Sequence, residues 1–241
     1  MRISRLFTDQ PLSEQAQLTL NEATSHYLSK VLRLQEKAAL ILFNGQGGQF
    51  EATINSISKK QLTVDIGAYQ RCDAESPLAI HLGIAVSKGD RMDMIMQKAT
   101  ELGVSSITPL SSERTEVKLK GERLEKKLQH WQKIVINACE QSGRDRVPPV
   151  KSLQPLTQWI NDVHADEKLV LHHRAAQQLQ ADQQVSSVAL LIGPEGGLSE
   201  TEISSAESNN FNALKLGPRV LRTETAPLAA VTLLQYVWGD F

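Results

Sequence analysis

The 241-residue chain reads as an α/β protein, a mainly parallel sheet alternating with helices, preceded by a small β-rich unit. Three observations predict this. From residue 78 onward, short apolar runs of strand length alternate with helical patterns, the rhythm of strand–helix–strand units. Before residue 72, apolar residues alternate or flank glycine turns, and one segment has helical spacing. Between the two lies "RCDAESP" (71–77), polar and closed by proline, so the expected domains are 1–72 and 73–241.

In the front unit, "SHYLSKVLRL" (25–34) puts Tyr27, Leu28, Val31, Leu32 and Leu34 near helical spacing. "AALILFNGQGGQFEATI" (38–54) is a strand, a Gly-rich turn and a second strand, and "KKQLTVDIGAY" alternates Leu62, Val64 and Ile66 as another strand. In the second region "LAIHLGIAV" (78–86) is a strand. "DRMDMIMQKATELG" (90–103) is a helix with Met92, Ile95, Met96, Ala99 and Leu102 on one face and Gly103 as its stop. "VSSITPL" is a strand, and "ERLEKKLQHWQKIVINACEQSG" (122–143) a long helix aligning Leu124, Leu128, Trp131, Val135 and Ala138. "KLVLHH", "SVALLIG" and "FNALKLG" are three short strands, with helices at Ser199–Ser208 and Ala226–Trp238.

Apolar content of 41% and charged content of 22% are those of an ordinary globular protein. No run approaches the ~18 apolar residues of a membrane span, and "MRISRLFTDQ" has no apolar core behind its arginines, so no signal peptide is expected. Cys72 and Cys139, lone and far apart, match neither a disulfide framework nor zinc-ligand spacing, which makes the reducing cytoplasm the expected compartment. A net charge of −1 argues against a general nucleic-acid binder. The charge is uneven, however: residues 1–72 carry 8 basic and 6 acidic side chains, residues 151–241 carry 6 and 10, which permits a basic patch toward the front.

Ligands of open α/β sheets bind beyond the carboxyl ends of strands, and three such ends carry unusual loops: "LHHRA" (171–175), "GPEGG" (193–197) and "LGPRVLRTETA" (216–226). Glycines in the second allow positive φ and close approach of a ligand to the main chain. Ser199 and Glu202 form the capping-box pattern that opens a helix. The loop matches neither G-x-G-x-x-G nor G-x-x-x-x-G-K-[ST], and Glu195 would repel a pyrophosphate. It suits a ligand held by backbone hydrogen bonds, with an adenine and a positive charge; a plain strand-to-helix turn is the alternative. In the third loop Arg219, Arg222 and Glu224 sit between a strand and an apolar helix that Thr225 can cap and Pro227 can open. The alternative there is a solvated charged loop. His172 and His173, adjacent on a strand, face opposite ways and make a poor metal site. Glu140, Gln141 and Arg144 lie at a helix end, and "KLKGERLEKK" (118–127) reads as a solvated face or a polyanion contact.

"LLIGPEGGLSETEI" (190–203) followed by "LKLGPRVLRTETA" (214–226) resembles the bacterial 16S ribosomal RNA uridine-N3 methyltransferases of the SPOUT superfamily. So do "SKGDRMDMIMQKATELGVSSITPL", "SERTEVK" and "WQKIVINACEQSGRDRVP", while "RLF", "HYLSKVLRL" and "LFNGQGGQFEATI" resemble that family's PUA-like RNA-binding domain. The resemblance spans nearly the whole chain. It implies a SPOUT domain with a C-terminal trefoil knot, which no spacing rule would predict. It also implies a homodimer, S-adenosylmethionine (SAM) as methyl donor, and N3-methyluridine in the 16S rRNA of the small ribosomal subunit as product, with neither metal nor membrane as partner.

Carried over by position, the SAM contacts fall on Leu171 and His172; on Ile192, Gly193, Glu195, Gly196 and Gly197; and on Leu216, Gly217, Val220, Leu221, Arg222, Thr223 and Ala226. His173 stands where the family pattern leads one to expect proline. Removal of the uridine N3 proton calls for an acceptor, and the charge developing on the base for a cation. Arg222 and Glu224 are the expected active pair, with Glu140 and Arg144 as candidate helpers that the partner subunit of the dimer could contribute. Arg2, Arg5, Lys30 and Arg33 are the expected phosphate contacts. A SPOUT-fold RNA-binding or ribosome-assembly factor, and a SPOUT methyltransferase acting on tRNA, are the competing readings.

Overall fold

A computed structural model describes residues 3–58, 61–172, 179 and 183–241; Arg2 and His173 lie outside the described residues. The chain divides into two units. The first takes in residues up to Glu75 together with Cys139–Val147, and the second takes in Ser76–Ala138 and Pro148–Phe241.

Among the described residues, the first unit holds a five-stranded sheet: β1 (Ser4–Phe7), β2 (Gln17–Leu20), β3 (Ala39–Phe43), β4 (Gln49–Ile57) and β5 (Leu62–Gln70), in the order β1-β3-β4-β5-β2. The expected hairpin is β3 and β4, antiparallel with Ile41 opposite Glu51. Alternation sends Ala52 and Ile54 of β4 and Leu62, Val64 and Ile66 of β5 inward. There most of them meet Leu6, Leu40 and Leu42 in one core cluster. The expected helix at 25–34 is shorter and starts earlier. It is α1 (Glu22–His26), capped by Asn21 Oδ1 accepting from Thr24 N at 2.9 Å, and continued by a π-helical turn at Tyr27–Val31 that buries Leu28.

The second unit carries a six-stranded sheet among the described residues: β6 (Ala79–Ala85), β7 (Ser106–Ser111), β8 (Gln154–Pro155), β9 (Glu167–Leu171), β10 (Ser187–Ile192) and β11 (Asn212–Leu214). The order is β11-β9-β10-β6-β7-β8 and every pairing is parallel. Parallel strands buried on both faces read as continuous apolar runs, and Val188 through Ile192 of β10 are all buried. The helices are α2 (Arg91–Glu101), α3 (Gly121–Ser142), α4 (Leu156–Asp162), α5 (Glu200–Ser208) and α6 (Thr225–Trp238). α2 buries Met92, Ile95, Met96 and Ala99, as its spacing predicts. On one face of the sheet, Trp159 and Ile160 of α4 and Ile203 and Ala206 of α5 join Ala189 and Leu191 of β10 in a core cluster. Gly83 of β6 lets Trp159 lie against the strand, since a Cβ there would stand 2.6 Å from the indole. No helix of the described residues is long and apolar enough to cross a membrane.

Segment Cys139–Val147, the end of α3 and the chain after it, belongs with the first unit rather than with the second, where the 72/73 boundary placed it. Long-range contacts decide this. Arg5 donates to Cys139 O at 2.8 Å, Phe7 N donates to Glu140 Oε1 at 3.0 Å, Gly48 N donates to Asp145, and Arg144 pairs with Glu75 at 2.6 Å.

Candidate functional site

Because the sheet is parallel, the carboxyl ends of β9, β10 and β11 share one edge, and these strands are neighbours. Leu171 and His172 at the end of β9 and the loops after β10 and β11 border a cleft of about 290 Å³ within the second unit, at the lower edge of small-molecule sites. Connections from β6 and β10 leave toward opposite sides of the sheet, so the glycine loop stands at the point where strand order reverses, the usual ligand position in open α/β folds.

The loop after β10 is built by close approach. A Cβ on Gly193 would lie 2.9 Å from Leu198 Cγ, so glycine there lets the chain double back, and Gly197 N donates to Pro194 O at 2.9 Å to close the turn. Gly197 takes φ +68, and the position of its absent Cβ is open space, so the main chain faces the cleft bare. The capping box forms as the spacing predicts: Ser199 N donates to Glu202 Oε2 at 2.9 Å and Glu202 N to Ser199 Oγ at 3.1 Å. The other oxygen of Glu202 accepts from Glu113 N at 2.9 Å. The neighbouring Arg114 donates to Gly196 O at 2.9 Å and to Leu198 O at 3.2 Å. A segment some 80 residues upstream in sequence thus braces the glycine loop.

Glu195 braces the same loop from the other side. Its Oε1 accepts from Lys88 N at 3.0 Å and from Arg91 Nη1 at 2.7 Å. Burial pushes this carboxyl up, but the Lys88 amide, the loop backbone and Arg91 together hold it below the usual carboxylate range. Arg91 Nε also lies 3.5 Å from Glu224 Oε2, too far and too poorly aimed for a hydrogen bond, and that buried oxygen has no hydrogen-bond partner.

Of the residues expected to contact SAM, all but Arg222 line the cleft. Arg222 is exposed and contributes its carbonyl, which accepts from Thr225 N at 2.9 Å and Ala226 N at 3.0 Å to start α6. Thr225 is not the cap of that helix: Glu224 holds the cap position, with no side-chain capping bond, and Pro227 sits in the first turn. Sequence reasoning missed Arg114, Pro194, Leu198, Glu200 and Ile203 as cleft walls. Four of these fall inside the motif already quoted; Arg114, like Arg91, sits in another quoted stretch but has nothing in its local sequence that points to the cleft.

Glu140 and Arg144, like Glu224, do not themselves line the cleft. Both are structural within the first unit. Arg144 is 4% exposed and grips Glu75 through Nε and Nη2, while Glu140 accepts from the Phe7 amide and burial pushes its carboxyl up. Arg5 is likewise turned inward, donating to Gln49 Oε1 at 2.9 Å and to Cys139 O, with its guanidinium 3.9 Å from the Phe43 ring centroid. It is therefore not placed as a phosphate contact. Lys30 and Arg33 are exposed, beside the exposed side chains of Tyr27 and Val31.

The model of the RNA methyltransferase domain family matches residues 74–235, and that of the RNA methyltransferase PUA domain matches residues 20–67. A ribosomal RNA small subunit methyltransferase E of Buchnera aphidicola subsp. Schizaphis graminum is 38% identical, over 99% of this chain and 98% of its own. The enzyme of that name from Bacillus subtilis is 31% identical over 95% and 93%. Among solved structures, a methyltransferase from Legionella pneumophila in complex with SAM superposes with a TM-score of 0.93 at 41% identity, covering all of both chains. Ribosomal RNA small subunit methyltransferase E from Neisseria gonorrhoeae, bound to SAM, gives 0.93 at 38%, again over both chains entirely. The chain belongs to the ribosomal RNA small subunit methyltransferase E family.

Proposed function

We propose that the chain is a SAM-dependent methyltransferase that methylates N3 of a uridine in the 16S rRNA of the small ribosomal subunit. The observation that carries this reading is that the end of β9 and the loops after β10 and β11 meet at one cleft with a bare glycine backbone. The residues present fit SAM. Leu171, Ile192, Leu198, Leu216 and Ala226 offer apolar walls for an adenine, backbone at 193–197 and 216–217 offers hydrogen bonds, and Glu195 and Glu200 bring negative charge to a cationic ligand. When bound, SAM supplies an electrophilic methyl group for in-line displacement.

The protein's part is to hold the base and take its proton. Glu224 stands between the cleft-lining Thr223 and Ala226, part-buried with a carboxylate oxygen that no hydrogen bond occupies, and acts as proton acceptor. Arg222, exposed two residues earlier, stabilises charge developing on the uracil oxygens. Lys30 and Arg33 contact rRNA phosphates, with Tyr27 exposed beside them as a surface for base stacking.

The finer architecture belongs to the same reading. The C-terminal segment forms a trefoil knot, a view supported by the insertion of β10 between β6 and β9 and by Leu216, Gly217, Val220, Leu221 and Thr223 walling the same cleft as the loop after β10. The chain forms a homodimer. α6 is apolar around most of its circumference, yet Tyr236 is 74% exposed, as expected of a helix that a second copy covers. Action on ribosomal RNA places the protein in the cytoplasm.

The test is single-turnover methylation of small-subunit rRNA by Glu224→Gln and Arg222→Ala proteins whose SAM affinity is confirmed by calorimetry. A loss of about 100-fold or more in rate, the usual scale for acid–base groups, is expected for Glu224→Gln. Near-normal rates with SAM bound would sink the assignment.

A further inference from the structure

We infer that Arg91 is a positioning residue for methyl transfer: one guanidinium ties the glycine loop, through Glu195, to the start of α6, through Glu224. The inference rests on the function proposed above. Arg91 is the first residue of α2 and follows β6, the strand beside β10 where the order of the sheet reverses. Its helix is anchored independently. Asp93 Oδ1, two residues on, accepts from Lys127 Nζ at 2.9 Å and Trp131 Nε1 at 3.0 Å of α3. Arg91 is therefore presented from a fixed base to two loops that lie more than 100 residues away in sequence.

The two ends of the tie differ, and the difference has a use. To Glu195, Arg91 makes a hydrogen bond of 2.7 Å that fixes the loop facing the cleft. To Glu224, the contact is 3.5 Å without hydrogen-bond geometry. Charge attraction orients that carboxylate without engaging its Oε2 in a hydrogen bond. Lys88, the other cation nearby, cannot replace it, because its ammonium pairs with Glu116 and only its amide reaches Glu195. A lysine at position 91 also lacks the planar fork needed to address two carboxylates together.

The experiment compares wild type, Arg91→Gln and Arg91→Lys for SAM affinity by calorimetry and for kcat and KM with small-subunit rRNA. Glu195 keeps its Lys88 bond, so Arg91→Gln should raise the SAM Kd only about three- to tenfold, as for a partly exposed ion pair. It should lower kcat by about tenfold or more with the RNA KM unchanged, since it loosens the proton acceptor rather than RNA contacts. Arg91→Lys should recover SAM affinity to within about twofold but not kcat, because one ammonium can serve one carboxylate. Adding Glu195→Gln to Arg91→Gln should weaken SAM by less than the sum of the two single effects, since the contact they share is already gone. Full additivity in that double mutant, or wild-type kcat in Arg91→Gln, would overturn the inference. Failure of the wild type to bind SAM would instead overturn the proposed function, and with it a positioning role in methyl transfer.

Discussion

Glu202→Ala tests how the glycine loop is held. Glu202 is 3% exposed, and its two oxygens accept from the amides of Ser199 and Glu113, both at 2.9 Å. Truncation leaves both donors without an acceptor. The Ser199 amide is buried, so leaving it unsatisfied costs about 1–3 kcal/mol, whereas the amide of exposed Glu113 can turn to water. At about 2–4 °C per kcal/mol for a unit of this size, melting of the second unit should fall by roughly 2–12 °C. Glu202→Gln keeps one acceptor oxygen and should fall between wild type and Ala. There is also a functional effect. Glu113 is adjacent to Arg114, which donates to Gly196 O and Leu198 O, so releasing Glu113 loosens one wall of the cleft. Scanning calorimetry with and without SAM, together with SAM titration, reads both. A melting temperature within about 1 °C of wild type would refute the premise that these two bonds carry the loop, since the expected loss is larger.

Other consequences follow from single contacts. Gly83→Ala should destabilise the second unit by about 1–3 kcal/mol in urea unfolding, because its Cβ would meet the Trp159 indole at 2.6 Å with core on every side. Burial pushes the Cys139 thiol up to about 11, so at pH 8 it stays protonated; a thiol reagent should label half-buried Cys72 in the native protein and reach Cys139 only on unfolding. Arg5→Ala should lower stability without changing the salt dependence of rRNA binding. Lys30→Glu with Arg33→Glu should reduce that dependence by about 1–2 in log–log slope with melting unchanged.

The α/β half was legible because its signals are local. β10 is an unbroken apolar run from Val188, β6 is apolar but for His81, α2 carries its buried stripe at helical spacing, and Ser199 and Glu202 announce a helix start within four residues. The cleft was legible for a topological reason: in a parallel sheet every strand ends at the same edge, so odd loops after neighbouring strands must meet. What escaped was set by distance along the chain. β1 is four residues of unremarkable pattern, ordered by pairing with β3. Arg5 looked like a surface cation because its partner, Cys139 O, lies 134 positions downstream. The same blindness hid Arg91 and Arg114, and it turned Glu140 and Arg144 into site candidates when their partners are Phe7 and Glu75. Glu195 shows the converse. Its place in the loop was plain, but that its carboxylate is turned to Lys88 and Arg91 follows only from the fold.

Delivery of a methyl group from the cleft beyond β9, β10 and β11 to uridine N3 in small-subunit rRNA can be read in one experiment: the purified protein is incubated with unmodified small ribosomal subunits and methyl-labelled SAM, and the 16S rRNA is digested to nucleosides for mass spectrometry. Label should appear in N3-methyluridine at a single position and be lost in Glu224→Gln. Label in another nucleoside, in a ribose 2′-O-methyl group or in tRNA alone, or no transfer from a protein that binds SAM, would refute the assignment.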